Sequence, residues 1–163
     1  MIIGEAELVR EMKDVLAVRP SRYLSNVQYP VSLKITGIEV PIRIEGAVCG
    51  KIDACGIYHG IPIVIEVKGC PRERRTGTDL FWEATKAIAY AKVLSGQGVA
   101  KYRPATMLPA DTITGDIIAI SIYLGLPLFG YRKDDETNKI IVSDFLSGLY
   151  SPWKGKRRRP LVR

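Results

Sequence analysis

Three residues in the stretch from Ala47 to Gly69, AVCGKIDACGIYHGIPIVIEVKG, could do chemistry together: Asp53, Glu66 and Lys68. Val48 to Ile57 and Ile61 to Lys68 are rich in β-branched residues, and Tyr58-His59-Gly60 between them breaks the run and supplies a turn glycine. This reads as a β-hairpin. With the tight turn centred on His59-Gly60, Gly56 faces Ile63, Cys55 faces Val64, and Asp53 lies opposite Glu66. Side chains alternate along a strand, so Glu66 and Lys68 share one face while Ile63, Ile65 and Val67 point to the other, into a core.

Opposed residues have β-carbons about 5 Å apart, and like charges so placed are destabilising. Two carboxylates at that distance repel by roughly 3 kcal/mol in an effective dielectric of about 20. Something positive therefore belongs between them. A hard divalent cation, Mg²⁺ or Mn²⁺, suits a site made of carboxylates, a backbone carbonyl such as that of Val67, and water. Lys68 adds a mobile positive charge beside such an ion. The plain alternative is an Asp, a Glu and a Lys on a solvated sheet face, a pattern common by chance. Against it, Glu66 follows the apolar run Ile61 to Ile65, which has the character of a central strand.

The motifs Gly50-Lys51-Ile52-Asp53-Ala54 and Ile63-Val64-Ile65-Glu66-Val67-Lys68-Gly69 resemble the signature of the PD-(D/E)XK nuclease superfamily, and in particular its RecB-like branch, which includes CRISPR-associated exonucleases. The resemblance covers about residues 40 to 95. That branch carries a Q-x-x-x-Y element on the following helix. Here the corresponding segment is Lys86-Ala87-Ile88-Ala89-Tyr90, with the tyrosine in place and lysine where glutamine is expected.

The resemblance implies a restriction-endonuclease-like α/β core, a central mixed β-sheet flanked by helices. It implies a metal-dependent nuclease acting on DNA, with Asp53, Glu66 and the Val67 carbonyl as metal ligands and Lys68, Lys86 and Tyr90 in catalytic roles. Superfamily members often bring an acidic residue from the first helix towards the metal. Glu5 is the best-placed candidate and Glu11 the second, although a solvated first-turn glutamate that suits the helix dipole is the simpler account. Some RecB-like nucleases bind an iron–sulfur cluster through four cysteines. This chain has Cys49, Cys55 and Cys70, the wrong number and placement, so no cluster is expected. The cysteines read instead as small core residues.

Around these residues the chain supplies a plausible scaffold. At 163 residues and 47% hydrophobic content it is long enough for one compact domain, residues 1–150, followed by a tail over 151–163. The net charge is +7, but six basic residues fall in the last ten positions, and the remaining chain carries 18 basic and 17 acidic residues. Lys154, Lys156, Arg157, Arg158 and Arg159 in this tail, and Arg72, Arg74 and Arg75 just after the Glu66-Lys68 strand, are the candidate phosphate-backbone contacts. For the tail, a merely solubilising role fits as well. No apolar run reaches membrane-span length, and the N-terminus turns acidic too soon for a signal peptide, which leads us to expect an intracellular protein.

The periodicity predicts a helix over 5–17, strand-like runs in Val31 to Ile44 around Thr36-Gly37, an edge or break at Pro41, and one helix from about Leu80 to Leu94. The buried stripe of that helix is Leu80, Ala84, Ala87, Ile88, Ala91 and Leu94, with Lys86 and Tyr90 on an adjoining stripe. Arg19 to Pro30 reads as a connection. Ala100 to Leu108 reads as a strand interrupted by Pro104, followed by a helix to about Leu124 and strands over Pro127 to Arg132 and Lys139 to Ser143. His59, the only histidine, is expected at the hairpin tip as a turn residue. Two alternatives stand beside an exonuclease. One is a structure-selective endonuclease resembling Holliday-junction resolvases, for which a homodimer is expected. The other is a catalytically silent nucleic-acid-binding module.

Overall fold

The computed structural model describes residues 4–17, 26–69, 77–97 and 101–147. Arg72, Arg74, Arg75, Cys70 and the basic residues of the 151–163 tail lie outside the described residues.

The hairpin at the centre of the chain forms in the predicted register. Strands β3 (Ala47–Tyr58) and β4 (Ile61–Val67) pair antiparallel, with Tyr58 opposite Ile61, Gly56 opposite Ile63 and Ala54 opposite Ile65. His59 and Gly60 both take left-handed backbone conformations, φ 47° and 80°. That pair of conformations gives the two-residue turn whose twist matches the strands it joins, and glycine enters it without steric cost.

Strand β2 (Leu33–Ile44) pairs antiparallel with β3 along its length, shifting register at Thr36 and again between Ile42 and Arg43. It is a single strand rather than two. It forms one edge of the sheet, which accommodates Pro41. On the other side β4 pairs in parallel with β5 (Arg103–Pro109), and β5 with β6 (Leu128–Lys133). Pro104 does not interrupt β5; it lies in register with Val64. Strand β7 (Ile140–Asp144) returns antiparallel to β6, and a short β1 (Val27–Gln28), within the segment read from sequence as a connection, adds in parallel to β7. The order across the seven-stranded mixed sheet is β1-β7-β6-β5-β4-β3-β2.

The sheet is curled. Strands β3 and β7 stand four places apart, about 19 Å at ordinary strand spacing in a flat sheet. Yet the Tyr58 hydroxyl donates to Asp144 Oδ2 at 2.7 Å, and its ring meets Phe129 of β6 edge-on with centroids 5.4 Å apart.

Helix α1 (Glu5–Ala17) covers one face, where Leu8 and Met12 pack with Ile63, Ile65, Val67 and Met107. The opposite face is covered by three helices. The predicted single helix is two, α2 (Gly77–Ala84) and α3 (Lys86–Gln97). The break falls at Thr85, whose hydroxyl and N–H both bond the Trp82 carbonyl. A threonine that satisfies itself on the preceding turn competes with helix continuation. Leu80, Phe81 and Ala84 of α2 pack with Leu108, Leu128 and α4 (Gly115–Leu124), whereas Ala91 and Tyr90 of α3 pack with Val64, Ile42 and Ile52. Ile88, expected in the buried stripe, is 37% exposed and lies just past the break, in α3. Of the cysteines, Cys55 is buried as expected but Cys49 is exposed. Cys49 sits where the β2–β3 ribbon runs on beyond the end of β4.

Candidate catalytic site

The β3–β4 pairing ends at Ala54 and Ile65, one step short of Asp53 and Glu66. There the side chain takes over from the backbone. Asp53 Oδ2 accepts the Val67 N–H at 2.8 Å, which fixes the carboxylate against β4 beside Glu66. Glu66 is 4% exposed, and Lys68 Nζ lies 3.2 Å from its Oε1. Glu5, at the first residue of α1, comes to 4.0 Å from the same ammonium. Three acids contributed by α1, β3 and β4 thus surround one lysine.

The backbone that carries Lys68 is held at several points. Its N–H donates to the Met107 carbonyl at 3.0 Å, and its carbonyl accepts the Tyr131 hydroxyl at 3.0 Å. The next residue is Gly69. A β-carbon there would stand 2.3 Å from the backbone nitrogen of Glu5, so only glycine lets the start of α1 approach the end of the strand this closely.

Burial and charge act together on the acids. Burial, reinforced by Asp53, pushes the Glu66 carboxyl up to about 7. Asp53 is raised by burial, partly offset by the Val67 N–H, by Lys68 and by a hydrogen bond with the Glu66 carboxyl, and Glu5 is raised by burial against the pull of Lys68. Burial works to lower Lys68, but Glu5, Glu66 and Asp53 outweigh it, and the ammonium is held above its ordinary value. Lys86 lowers all three acids from the start of α3. Its side chain is exposed. Tyr90, one turn on, is half-buried, with its hydroxyl 3.5 Å from where a β-carbon on Gly50 would be. Tyr90 thus covers Gly50 of the GKIDA segment. Glu11, the second acidic candidate on α1, instead accepts a hydrogen bond from Asn26 at 3.1 Å.

Oε2 of Glu66 is buried without a hydrogen-bond partner, and so is Oγ1 of Thr106. A buried, unpaired carboxylate oxygen is costly unless something outside the chain satisfies it. Among the described residues no group of three or more His, Cys, Asp or Glu could by itself hold a metal ion. Mg²⁺ and Mn²⁺ differ from zinc and calcium in binding through as few as one or two carboxylates while keeping several waters. A cleft of about 720 Å³ lies elsewhere, lined by Tyr29, Ser32, Lys34, His59 and Asp144 at the hairpin-turn end of the sheet.

Sequence reasoning found Asp53, Glu66, Lys68 and Glu5, and the structure brings them together. It missed Tyr131 and Thr106. Thr106 left one weak signal, a lone hydroxyl within the apolar run of β5.

No protein-family model matches the chain, and no curated protein matches it. Two solved structures resemble parts of it. One is a repair endonuclease from Pyrococcus abyssi, with TM-score 0.40 and 19% identity over 76% of this chain. The chain spans 43% of the length of that endonuclease. The other is an XisH family protein from Nostoc punctiforme PCC 73102, with TM-score 0.44 and 19% identity, covering 66% of this chain and 84% of the other. Among the described residues no helix is long and apolar enough to cross a membrane.

Proposed function

We propose that this protein is a divalent-metal-dependent nuclease of the PD-(D/E)XK type that hydrolyses phosphodiester bonds in DNA, acting as a RecB-like exonuclease. The observation that carries the reading is the buried, unpartnered Oε2 of Glu66 beside Asp53, with Lys68 3.2 Å from the other oxygen. A solvated sheet face would not bury a carboxylate in this way.

Asp53 and Glu66 are the residues that would hold Mg²⁺ or Mn²⁺, with the Val67 carbonyl as a further oxygen donor, while Glu5, 4.0 Å from the Lys68 ammonium, acts through that lysine. When bound, such an ion lowers the pKa of water and neutralises charge on a scissile phosphate. Lys68 orients the attacking water or assists its deprotonation, and its charge offsets the negative charge that develops on the phosphate. Lys86 and Tyr90, exposed and half-buried on one face of α3, contact the phosphate or support Lys68. Arg72, Arg74, Arg75 and the basic tail supply sequence-independent contacts to the DNA backbone.

The test is incubation of the purified chain and its Asp53→Ala and Glu66→Ala variants with linear, circular single-stranded and four-way-junction DNA, in EDTA, Mg²⁺ or Mn²⁺. Metal-dependent degradation of linear DNA by the wild type alone is the expected result. Symmetric cutting of junctions by a dimer would replace the exonuclease with a resolvase-like endonuclease. Cleavage retained by purified Asp53→Ala protein would refute the assignment, and binding without cleavage under every condition would make the chain a silent binding module.

A further inference from the structure

The two orphaned oxygens described above are neighbours. Glu66 and Thr106 are register partners across the parallel β4–β5 ladder. Such partners project to the same face, with their strands about 4.8 Å apart. That face is the one opposite Ile65, Val67, Ala105 and Met107, all of which pack with α1. Thr106 is 1% exposed and Glu66 4%. The other oxygen of Glu66 is engaged by Lys68. No direct hydrogen bond joins the two orphans.

A buried hydroxyl without a partner is unfavourable, and valine would fill the same volume without it. The rest of this strand from Ala105 to Leu108 is apolar and fully buried, so nothing in the local packing calls for a polar residue. What the hydroxyl adds is the ability to donate one hydrogen bond and accept others, beside a carboxylate oxygen that only accepts. A water bridges that pair without conflict: it donates to Oε2 of Glu66 and exchanges a second hydrogen bond with Oγ1 of Thr106. Mg²⁺ and Mn²⁺ sites built on few carboxylates retain waters of this kind.

We infer that Thr106 is a positioning residue of the cation site, its hydroxyl holding a water against Oε2 of Glu66 and thereby orienting the carboxylate that receives a divalent cation. The inference rests on the metal-dependent reading above. Outer-shell partners of this sort typically govern metal affinity by about 10- to 100-fold.

Mn²⁺ titration by calorimetry of the full chain, its Thr106→Val, Thr106→Ser and Glu66→Gln variants, together with their thermal midpoints in EDTA, tests this. Thr106→Val is expected to bind Mn²⁺ about 10-fold or more weakly, while melting no lower than the wild type without metal, and Thr106→Ser is expected to restore the affinity. Valine binding as tightly as wild type, with Glu66→Gln abolishing binding, overturns the role of Thr106 and leaves the metal site standing. A folded wild type that binds no Mn²⁺ overturns both. Should the valine variant fold poorly, a crystal structure of the wild type decides: a water within hydrogen-bonding distance of both oxygens is expected, and a direct Thr106–Glu66 hydrogen bond overturns the inference.

Discussion

Two acidic centres lie at opposite ends of the β3–β4 pairing, and they treat their carboxylates in opposite ways. At the Tyr58 end, Asp144 is saturated. Its Oδ2 accepts the Tyr58 hydroxyl at 2.7 Å and the Ser32 hydroxyl at 3.0 Å, and its Oδ1 accepts the Leu146 N–H at 3.0 Å. At the Asp53 end, Glu66 is buried with one oxygen bare and an acid for a neighbour. An acid that closes a fold is given donors from several elements. At Glu66 the chain supplies one donor, Lys68, and leaves Oε2 without one, at a cost the surrounding structure must bear.

The contrast is open to direct attack. The largest effect is expected from Glu66→Gln, which keeps the shape and removes the charge. DNA cleavage in single-turnover assays should fall to the level seen in EDTA, while the metal-free thermal midpoint holds or rises because the charge repulsion with Asp53 is gone. Asp144→Ala should do the reverse. It removes the carboxylate that accepts from the Tyr58 and Ser32 hydroxyls and should cost about 2 kcal/mol in urea unfolding, with cleavage per folded molecule unchanged.

A pH series sharpens the comparison further. Glu66 carries a folded pKa of about 7, above the ordinary 4.5. The metal-free folded protein therefore binds more protons than the unfolded chain between those values, and stability is lost as pH rises through that window. The thermal midpoint in EDTA should climb as pH falls from about 7 towards 5, and Glu66→Gln should flatten the slope. A midpoint that instead falls over this range would place Glu66 among the satisfied acids. The smallest effect is expected from Tyr131→Phe, which frees the Lys68 carbonyl. It should lower stability by about 1 kcal/mol and reduce kcat more than it raises KM, since Lys68 is displaced rather than removed.

What was legible from sequence follows the range over which each feature is determined. The hairpin register depends on one turn, and His59-Gly60 is enough to align the β3–β4 pairs from Tyr58 to Ala54 and to set Asp53 beside Glu66. Helix α1 has the predicted limits because its apolar period is local. Thr85 ends a helix that apolar spacing would have continued, since spacing carries no record of a hydroxyl bonding its own preceding turn. Pro104 proved compatible with an interior parallel strand. The proximity of Thr106 to Glu66, and of Tyr131 to Lys68, depends on how β4, β5 and β6 come into register after crossing the sheet faces. No spacing within the chain encodes that register.

The β3–β4 hairpin also has a meaning in time. Asp53 and Val67 are 14 residues apart, and their bond needs only a two-residue turn to form. The Tyr58–Asp144 and Ser32–Asp144 bonds span 86 and 112 residues, and β1 must wait for β7 to pair. Short closures are reached sooner than long ones, whose chain-entropy cost must be met before their contacts reward it. On a ribosome, residue 144 emerges long after residue 68. The mutually repelling acids are thus within reach of each other from early in the life of the chain, and the saturated aspartate that ties the curled sheet together can take its place only near the end.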